Sequence, residues 1–389
     1  MSVAPPKNAR DPALMLRAAQ LTDVDALLAV ENAAFDGDRL SRRNFRHLLK
    51  RGRQATILAE EPGVAGEAGR VVGYAMVLFH RGTSLARLYS FAVAPEKRGR
   101  GIARALLEAV EAEAAERGVV HLRLEVRADN ARAIRFYEAA GYAPFGAYTA
   151  YYDDAGDAIR MEKELAPHRA IDPARFPYIA QSLGFTCGPA CLMMAMRALD
   201  ETVRADRTEE LRLWRESTTV FMTRGIGGTS PYGLALSARR RGFPVSVHVR
   251  DPDVMFVHSV RKPAKKAVVR LVQEDYIAQC AQAGVPIAET GLSLGEIEQA
   301  LGEGAAAIVL ISTYALDRER TPHWVVVADM DQRFVFVHDP FVDTDEWQTQ
   351  IDRMLLPIPR ADFERMTRYG RAKQRAVLLI RPKASDRKA

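Results

Sequence analysis

The segment Arg98-Gly99-Arg100-Gly101-Ile102-Ala103 follows an apolar run that ends at Val93 and opens directly onto a helical pattern. Glycines in such a loop let backbone N–H groups approach a phosphate closely. The start of a helix adds unpaired donors and a favourable dipole, and Arg98 and Arg100 add charge. The chemistry served is the binding of a phosphorylated ligand; for a glycine-rich loop alone, a plain turn into a helix is the competing reading. A second set of residues lies far downstream. Cys187 stands where a loop meets an apolar helical run, and a helix start favours the thiolate. His323 precedes the run WVVVA, and Asp339 follows FVFVH. Antiparallel strands joined by a tight turn at Asp331-Gln332-Arg333 would bring His323 and Asp339 together, the carboxylate orienting the imidazole. Gln181 would offer a side-chain N–H to an oxyanion, beside the backbone N–H of Cys187. This is equipment for thiolate attack on a carbonyl carbon. Cys191, one turn further among Leu192, Met193 and Met194, reads as core.

These residues need elements to hold them. ALMLRAA, after a lead over residues 1–12, reads as a strand, and Thr22-Asp-Val-Asp as the N-cap of a helix through LLAVENAAF. A second helix is expected over Arg42–Lys50. Strand-like runs QATILAE, VVGYAMVLFH and ARLYSFAV follow, with Gly63–Gly69 as a hairpin loop. A helix over Gly101–Arg117 closes at Gly118, HLRLEV alternates as a half-buried strand, and a helix over Asn130–Ala140 closes at Gly141. Strands near Ala147–Tyr152 and Ala158–Glu164 complete the order β-α-α-β-β-β-α-β-α-β-β. Composition shifts over 166–177, which holds three prolines, and a domain linker is placed there. Beyond it a helix is expected at Cys187–Leu199. Strands are expected at Pro244–Val249, Ala306–Ser312, Trp324–Ala328, Phe334–Val337 and Ala376–Arg381. Met222–Tyr232 reads as a glycine-rich loop, Arg239-Arg240-Arg241 as a solvated helix end, and the last nine residues as a basic tail.

Length and composition set limits. A chain of 389 residues exceeds most single domains, and 48% hydrophobic residues supply a core for each of two. The balance of 55 basic and 49 acidic residues, net +6, is mild. No stripe of aromatics interleaves with the arginines, so nucleic acid is not an expected partner. Three cysteines, Cys187, Cys191 and Cys280, argue against a disulfide framework. No signal peptide and no apolar run of membrane-spanning length are seen, and a soluble cytoplasmic protein is expected. His248, His258 and His338 lack metal-ligand spacing, and Cys187 with Cys191 lack two further ligands, so no metal is expected.

The loop fits the pattern R-x-x-G-x-G/A as Arg98, Gly101 and Ala103. Downstream, N-x-x-A-x-x-x-Y-x-x-x-G-Y appears as Asn130, Ala133, Tyr137, Gly141 and Tyr142. Together these segments resemble the GNAT family of N-acetyltransferases over residues 13–166. The LEVR…N…Y arrangement is most similar to the ribosomal-protein-alanine N-acetyltransferase branch. The resemblance implies an α/β fold with a mixed, mostly antiparallel central sheet and flanking helices, using acetyl-CoA. It implies that Phe91, Ala92 and Val93 pair with the pantetheine arm through their backbone. Residues Arg98, Gly99, Arg100, Gly101, Ile102 and Ala103 would hold the pyrophosphate, with Asn130 also touching the cofactor. A splayed strand pair is expected beside Phe91–Val93. Glu125 is implied as general base through water, and Tyr137 as the donor to the CoA sulfur. Tyr148, Tyr151 and Tyr152 would line the acceptor pocket or serve as ordinary strand residues.

Residues 167–389 resemble the papain-like double-glycine leader peptidases that process bacteriocin precursors, with an α+β fold. The Gln-x5-Cys-Gly motif appears as Gln181…Cys187-Gly188, and the His-to-Asp spacing as His323…Asp339. The resemblance is firm over 181–196 and 323–340 and thin between them. It departs at Thr186, where the family commonly has Asp, and in the absence of a membrane exporter. The combined reading is an N-acetyltransferase acting on a peptide or protein amine, fused to a Cys-His-Asp peptidase processing the same peptide. The competing reading keeps the transferase and makes the second domain a non-catalytic peptide-binding or regulatory module. The oligomeric state is not legible.

Overall fold

The computed structural model describes residues 14–383 except 51, 64–68, 167–174, 219–226, 251–253, 258–259, 261, 317–320, 344–347 and 371. The expected lead, the basic tail after 383 and most of the 166–177 linker therefore lie outside the described residues. So do His258, the tip of the 63–69 loop and residues 222–226 of the glycine-rich loop. The chain divides into two compact units with the main boundary between Pro167 and His168, Arg81–Thr83 being grouped with the second unit. No helix among the described residues is long and apolar enough to cross a membrane.

The first unit runs β1 (Met15–Ala18), α1 (Val24–Ala34), α2 (Arg42–Lys50), β2 (Gln54–Glu61), β3 (Arg70–Phe79) and β4 (Leu85–Val93). It continues with α3 (Ile102–Glu116), β5 (His121–Arg127), α4 (Ala131–Ala139), β6 (Ala143–Tyr148) and β7 (Ala158–Glu164). This is the expected order. Its seven-stranded sheet has the order β1-β2-β3-β4-β5-β7-β6. All pairs are antiparallel except β4 with β5. β3 is buried on both faces because helices cover both. Ala75 and Val77 join Leu106, Leu107 and Val110 of α3, whereas Tyr74 and Met76 join Leu27, Phe45 and Leu48 of α1 and α2.

Two boundaries differ from expectation. The capping box before α1 joins Gln20 to Asp23, not Thr22, because a short 3-10 turn over Leu21–Asp23 precedes the helix. β6 begins at Ala143 rather than Ala147. Pro144, which lacks a donor, is tolerated because β6 is the edge strand, and the register slips between Pro144 and Gly146.

The second unit contains α5 (Cys187–Leu199), α6 (Arg207–Ser217), α7 (Pro231–Arg240), β8 (Val245–Arg250), α8 (Pro263–Gln282), β9 (Ile287–Ala288) and α9 (Leu294–Gly302). Then come β10 (Ala306–Ser312), β11 (Pro322–Met330), β12 (Phe334–His338), β13 (Leu356–Pro359), α10 (Arg360–Met366) and β14 (Arg375–Ile380). The sheet order is β13-β12-β11-β10-β14-β8-β9, antiparallel but for β8 with β9. The runs AAIVLIS and WVVVA are continuous because β10 and β11 are central strands. α5 is buried from Cys187 through Met196 and packs with Ile308, Leu310, Trp324 and Val326 in one core. Arg241 is not solvated as expected. It closes on Glu209 at 2.7 Å and Glu216 at 2.8 Å, tying the end of α7 to α6.

Candidate active sites

In the first unit the parallel ladder runs from Leu85↔His121 to Arg87↔Arg123 and stops there. β4 continues to Val93 and β5 to Arg127, so the strands splay. A bulge against β3 supplies the bend: Met76 faces Ser90 and Val77 faces Leu88, leaving Tyr89 as the extra residue. The edge of β4 that carries Phe91, Ala92 and Val93 is therefore unpaired on its β5 side. Beyond it Gly99 and Gly101 hold φ of 82° and 80°, and Gly101 is the N-cap of α3 with no side-chain cap. A Cβ at Gly101 would meet nothing within 4 Å, so the cradle is open and its donors are backbone N–H groups. Buried Ile102 anchors the helix start, with Ala103 packed against the same core. The two arginines are engaged locally. Arg98 donates to the carbonyls of Val93 at 3.3 Å and Ala34 at 3.4 Å, and Arg100 pairs with Glu61 at 3.3 Å. An open strand edge beside an uncapped helix start fits a ligand with an amide-rich arm and a pyrophosphate, as acetyl-CoA has.

Glu125 lies two residues past the last β4–β5 pair. Arg87 Nε donates to its Oε2 at 2.9 Å, with both side chains nearly buried at 6% and 5% exposure. Arg87 also donates to the Tyr151 hydroxyl at 2.9 Å. Tyr148 stacks on Tyr151 with centroids 5.4 Å apart, and Tyr152 meets Tyr151 edge-on at 5.1 Å. Burial, with the charge of Glu125, pushes Tyr152 up to about 12. Tyr137 is buried on α4 among Phe91, Phe136 and Tyr142, and burial raises its pKa, so its hydroxyl holds its proton. Asn130 caps α4, its Oδ1 accepting from the Ala133 N–H at 3.0 Å. The capping thus sets the start of the helix that carries Tyr137.

In the second unit β11 and β12 are antiparallel, and the Asp331 carboxylate closes their turn by accepting from Arg333 and Phe334 N–H groups at 2.8 and 2.7 Å. Val326 faces His338, which sets His323 beside Asp339. His323 Nε2 meets Asp339 Oδ1 at 2.6 Å, leaving Nδ1 as the ring nitrogen free for Cys187. Burial opposes the charges here, but Arg353, at 2.6 Å, and then His323 hold the Asp339 carboxyl at about 2. Burial likewise opposes protonation of His323, but Asp339 and Cys187 lift it to about 10. Burial raises the Cys187 thiol, yet His323 and backbone N–H groups of Trp324 and Gly188 bring it below the ordinary thiol range. Cys191 is the contrast: fully buried, it donates to the Trp324 carbonyl at 3.2 Å, and burial raises it.

Gln181 stands beside this group, its N–H donating to the Pro340 carbonyl at 2.9 Å. One hydrogen of its Nε2 goes to the Leu183 carbonyl at 2.8 Å. A Cβ at Gly188 would lie 2.1 Å from Thr229 Oγ1, so only glycine fits next to the nucleophile. The sequence-expected Cys187, His323, Asp339 and Gln181 thus converge.

A family profile described as the Peptidase_C39 like family matches residues 176–381, more than half of the chain. This chain belongs to the Peptidase_C39 like family. The Acetyltransferase (GNAT) family matches residues 24–142, and the first unit of this C39-like protein is a GNAT N-acetyltransferase domain, of a family that uses acetyl-CoA. Solved structures similar to the chain include the ribosomal-protein-S18-alanine N-acetyltransferase from Escherichia coli, at 28% identity and TM-score 0.36, covering 40% of this chain and 96% of that one. Ard1 from Thermoplasma volcanium is similar at 25% identity and TM-score 0.35, covering 40% and 99%. No curated protein matches the chain.

Sequence reasoning missed two residues of the C39-like protein's sites. Arg87 carries a charge on a strand that is otherwise largely apolar, and that mismatch was the available signal. Arg353 had none, because it reaches Asp339 only through the return of the chain at Gln350–Asp352.

Proposed function

We propose that the chain acetylates the α-amine of a peptide or protein with its first domain and cleaves a peptide bond through Cys187 with its second. The buried chain of Arg353, Asp339, His323 and Cys187 carries the peptidase half. Its geometry favours a thiolate–imidazolium pair, the arrangement that nucleophilic catalysis by a cysteine requires. In this reading the Cys187 thiolate attacks the scissile carbonyl carbon, and the oxyanion takes hydrogen bonds from the Cys187 N–H and the second Nε2 hydrogen of Gln181. His323 gives its proton to the leaving nitrogen. It then takes one from water, which attacks the acyl-enzyme and returns sulfur as thiolate. Asp339 orients His323 throughout.

Acetyl-CoA, when bound, supplies the acetyl group as a thioester. The β4 edge at Phe91–Val93 and the loop Arg98–Ala103 would hold it, with Asn130 nearby. Glu125, paired with Arg87, takes the proton of the acceptor ammonium through water, and Tyr137 gives a proton to the departing sulfur. Cleavage would expose a new N-terminus, and acetylation would cap it. Reduced thiols at Cys187, Cys191 and Cys280 suit a cytoplasmic setting.

The test is intact-mass analysis of small double-glycine precursor peptides incubated with the protein, with and without acetyl-CoA. The reading expects a cleaved peptide that gains one acetyl group, and no cleavage by C187A. Acetylation of added peptides without any cleavage would leave the second domain as a binding module.

A further inference from the structure

The loop from Gln181 to Cys187 is short, and its ends carry both proposed oxyanion donors. Its conformation is held from outside the loop. Glu210 of α6 is 2% exposed, and its Oε1 accepts the Ser182 N–H at 2.8 Å and the Thr186 hydroxyl in a short hydrogen bond. Thr186, itself fully buried, accepts from the Leu183 N–H at 3.3 Å and donates its own N–H to the Leu183 carbonyl at 3.2 Å. That same carbonyl accepts Gln181 Nε2. One carboxylate oxygen therefore reaches the residue after Gln181 and the residue before Cys187, and through Leu183 the Gln181 amide itself.

A buried carboxylate is costly unless its lone pairs are satisfied. Glu209, next in the chain, is matched by Arg241 at 2.7 Å. Glu210 forms no ion pair with any described residue; its partners are loop donors. A carboxyl group buried in the protein and hydrogen-bonded to both ends of a loop fixes that loop's geometry. At the position before the cysteine this chain has Thr186, and the carboxylate beside it comes from a separate helix.

We propose that Glu210 is a positioning residue for the thiol site. Through Ser182 and Thr186 it sets the Gln181 amide and the Cys187 N–H to face one point, where the oxyanion forms. It touches no reacting atom. The inference rests on the peptidase reading above.

The experiment compares two reagents on the full chain. Iodoacetamide needs only a thiolate, which displaces iodide. N-acetyl-Gly-glycinal needs the oxyanion donors as well: the Cys187 thiolate adds to the aldehyde carbon and the oxygen takes a proton from His323. Aldehyde affinity is read as protection of Cys187 from iodoacetamide, followed by peptide mass spectrometry. In E210A and T186V the aldehyde should bind roughly 10–100-fold more weakly, while the pH profile of iodoacetamide alkylation stays in place. E210Q should recover most of the affinity, because its amide oxygen still accepts both donors. T186V keeps the buried carboxylate, so the comparison survives if E210A does not fold. Wild-type affinity in T186V and E210A, or a loss shared equally by alkylation, overturns the positioning role. Fast alkylation without aldehyde binding in the wild type overturns the peptidase reading, and this inference with it.

Discussion

At Cys187 two forces oppose each other. Burial favours the neutral thiol, and the imidazolium of His323 favours the thiolate; the second wins because Asp339 and Arg353 hold the imidazole charged and in place. H323A removes the imidazolium and leaves burial. Alkylation of Cys187 by iodoacetamide near neutral pH should then slow roughly tenfold or more, and its pH profile should move up past the reference thiol value of about 8.5. An unchanged profile would show that His323 does not govern the thiol. The same network makes a stability prediction. Asp339 is depressed to about 2 when folded, so its contribution is present above the unfolded carboxyl value of ~3.9 and is lost as pH falls toward 2. His323 is raised to about 10, so its contribution is present below ~6.5 and is lost as pH rises through 10. Denaturant midpoints of the wild type should fall at both ends. In D339N both slopes attributable to this pair should flatten; retained slopes would place the pH dependence elsewhere.

At the scale of elements, the nucleophile depends on how closely the start of α5 approaches its neighbours. Gly188 is seated against Thr229, Leu234 and Trp324 with no room for a methyl group. G188A should cost about 1–3 kcal/mol through overpacking, seen as a lower thermal midpoint, and should slow Cys187 alkylation by displacing the helix start. Wild-type reactivity in a destabilised G188A protein would show that the helix start tolerates displacement. In the first domain the comparable device is the bulge at Tyr89, which turns β4 from β5 and opens an edge that a regular ladder would have closed.

At the scale of the whole molecule, each proposed reaction uses residues from its own unit alone. Glu125 and Tyr137 lie before the boundary at Pro167/His168, and Cys187, His323, Asp339 and Gln181 lie after it. C187S should therefore keep acetyl transfer to an added peptide within about twofold, since it alters no residue of that reaction and effects without shared partners are close to additive. Y137F should keep rapid Cys187 alkylation while losing acetyl transfer but not acetyl-CoA binding. A C187S protein that loses acetylation of a peptide with a free N-terminus would mean that the sites are coupled. Full transfer by Y137F would remove Tyr137 from the chemistry.

The sequence by itself determined what depends on short-range order. Helix and strand succession in the first domain followed from periodicity and glycine stops, because each pattern reflects neighbours within one or two turns. Cys187 and His323 with Asp339 were legible for the same reason: one sits at a helix start, and the other two flank a hairpin whose turn Asp331 closes. Tertiary structure decided what depends on residues far apart in the chain. The Arg87–Glu125 pair spans 38 positions, and Glu210 reaches Thr186 across 24. The clasp of Arg241 on Glu209 and Glu216, read from sequence as a solvated end, arises only when α6 and α7 pack. A charged residue on a polar pattern looks alike whether water or a buried partner awaits it. The difference is a desolvation cost and its compensation, and those exist only once the chain has folded.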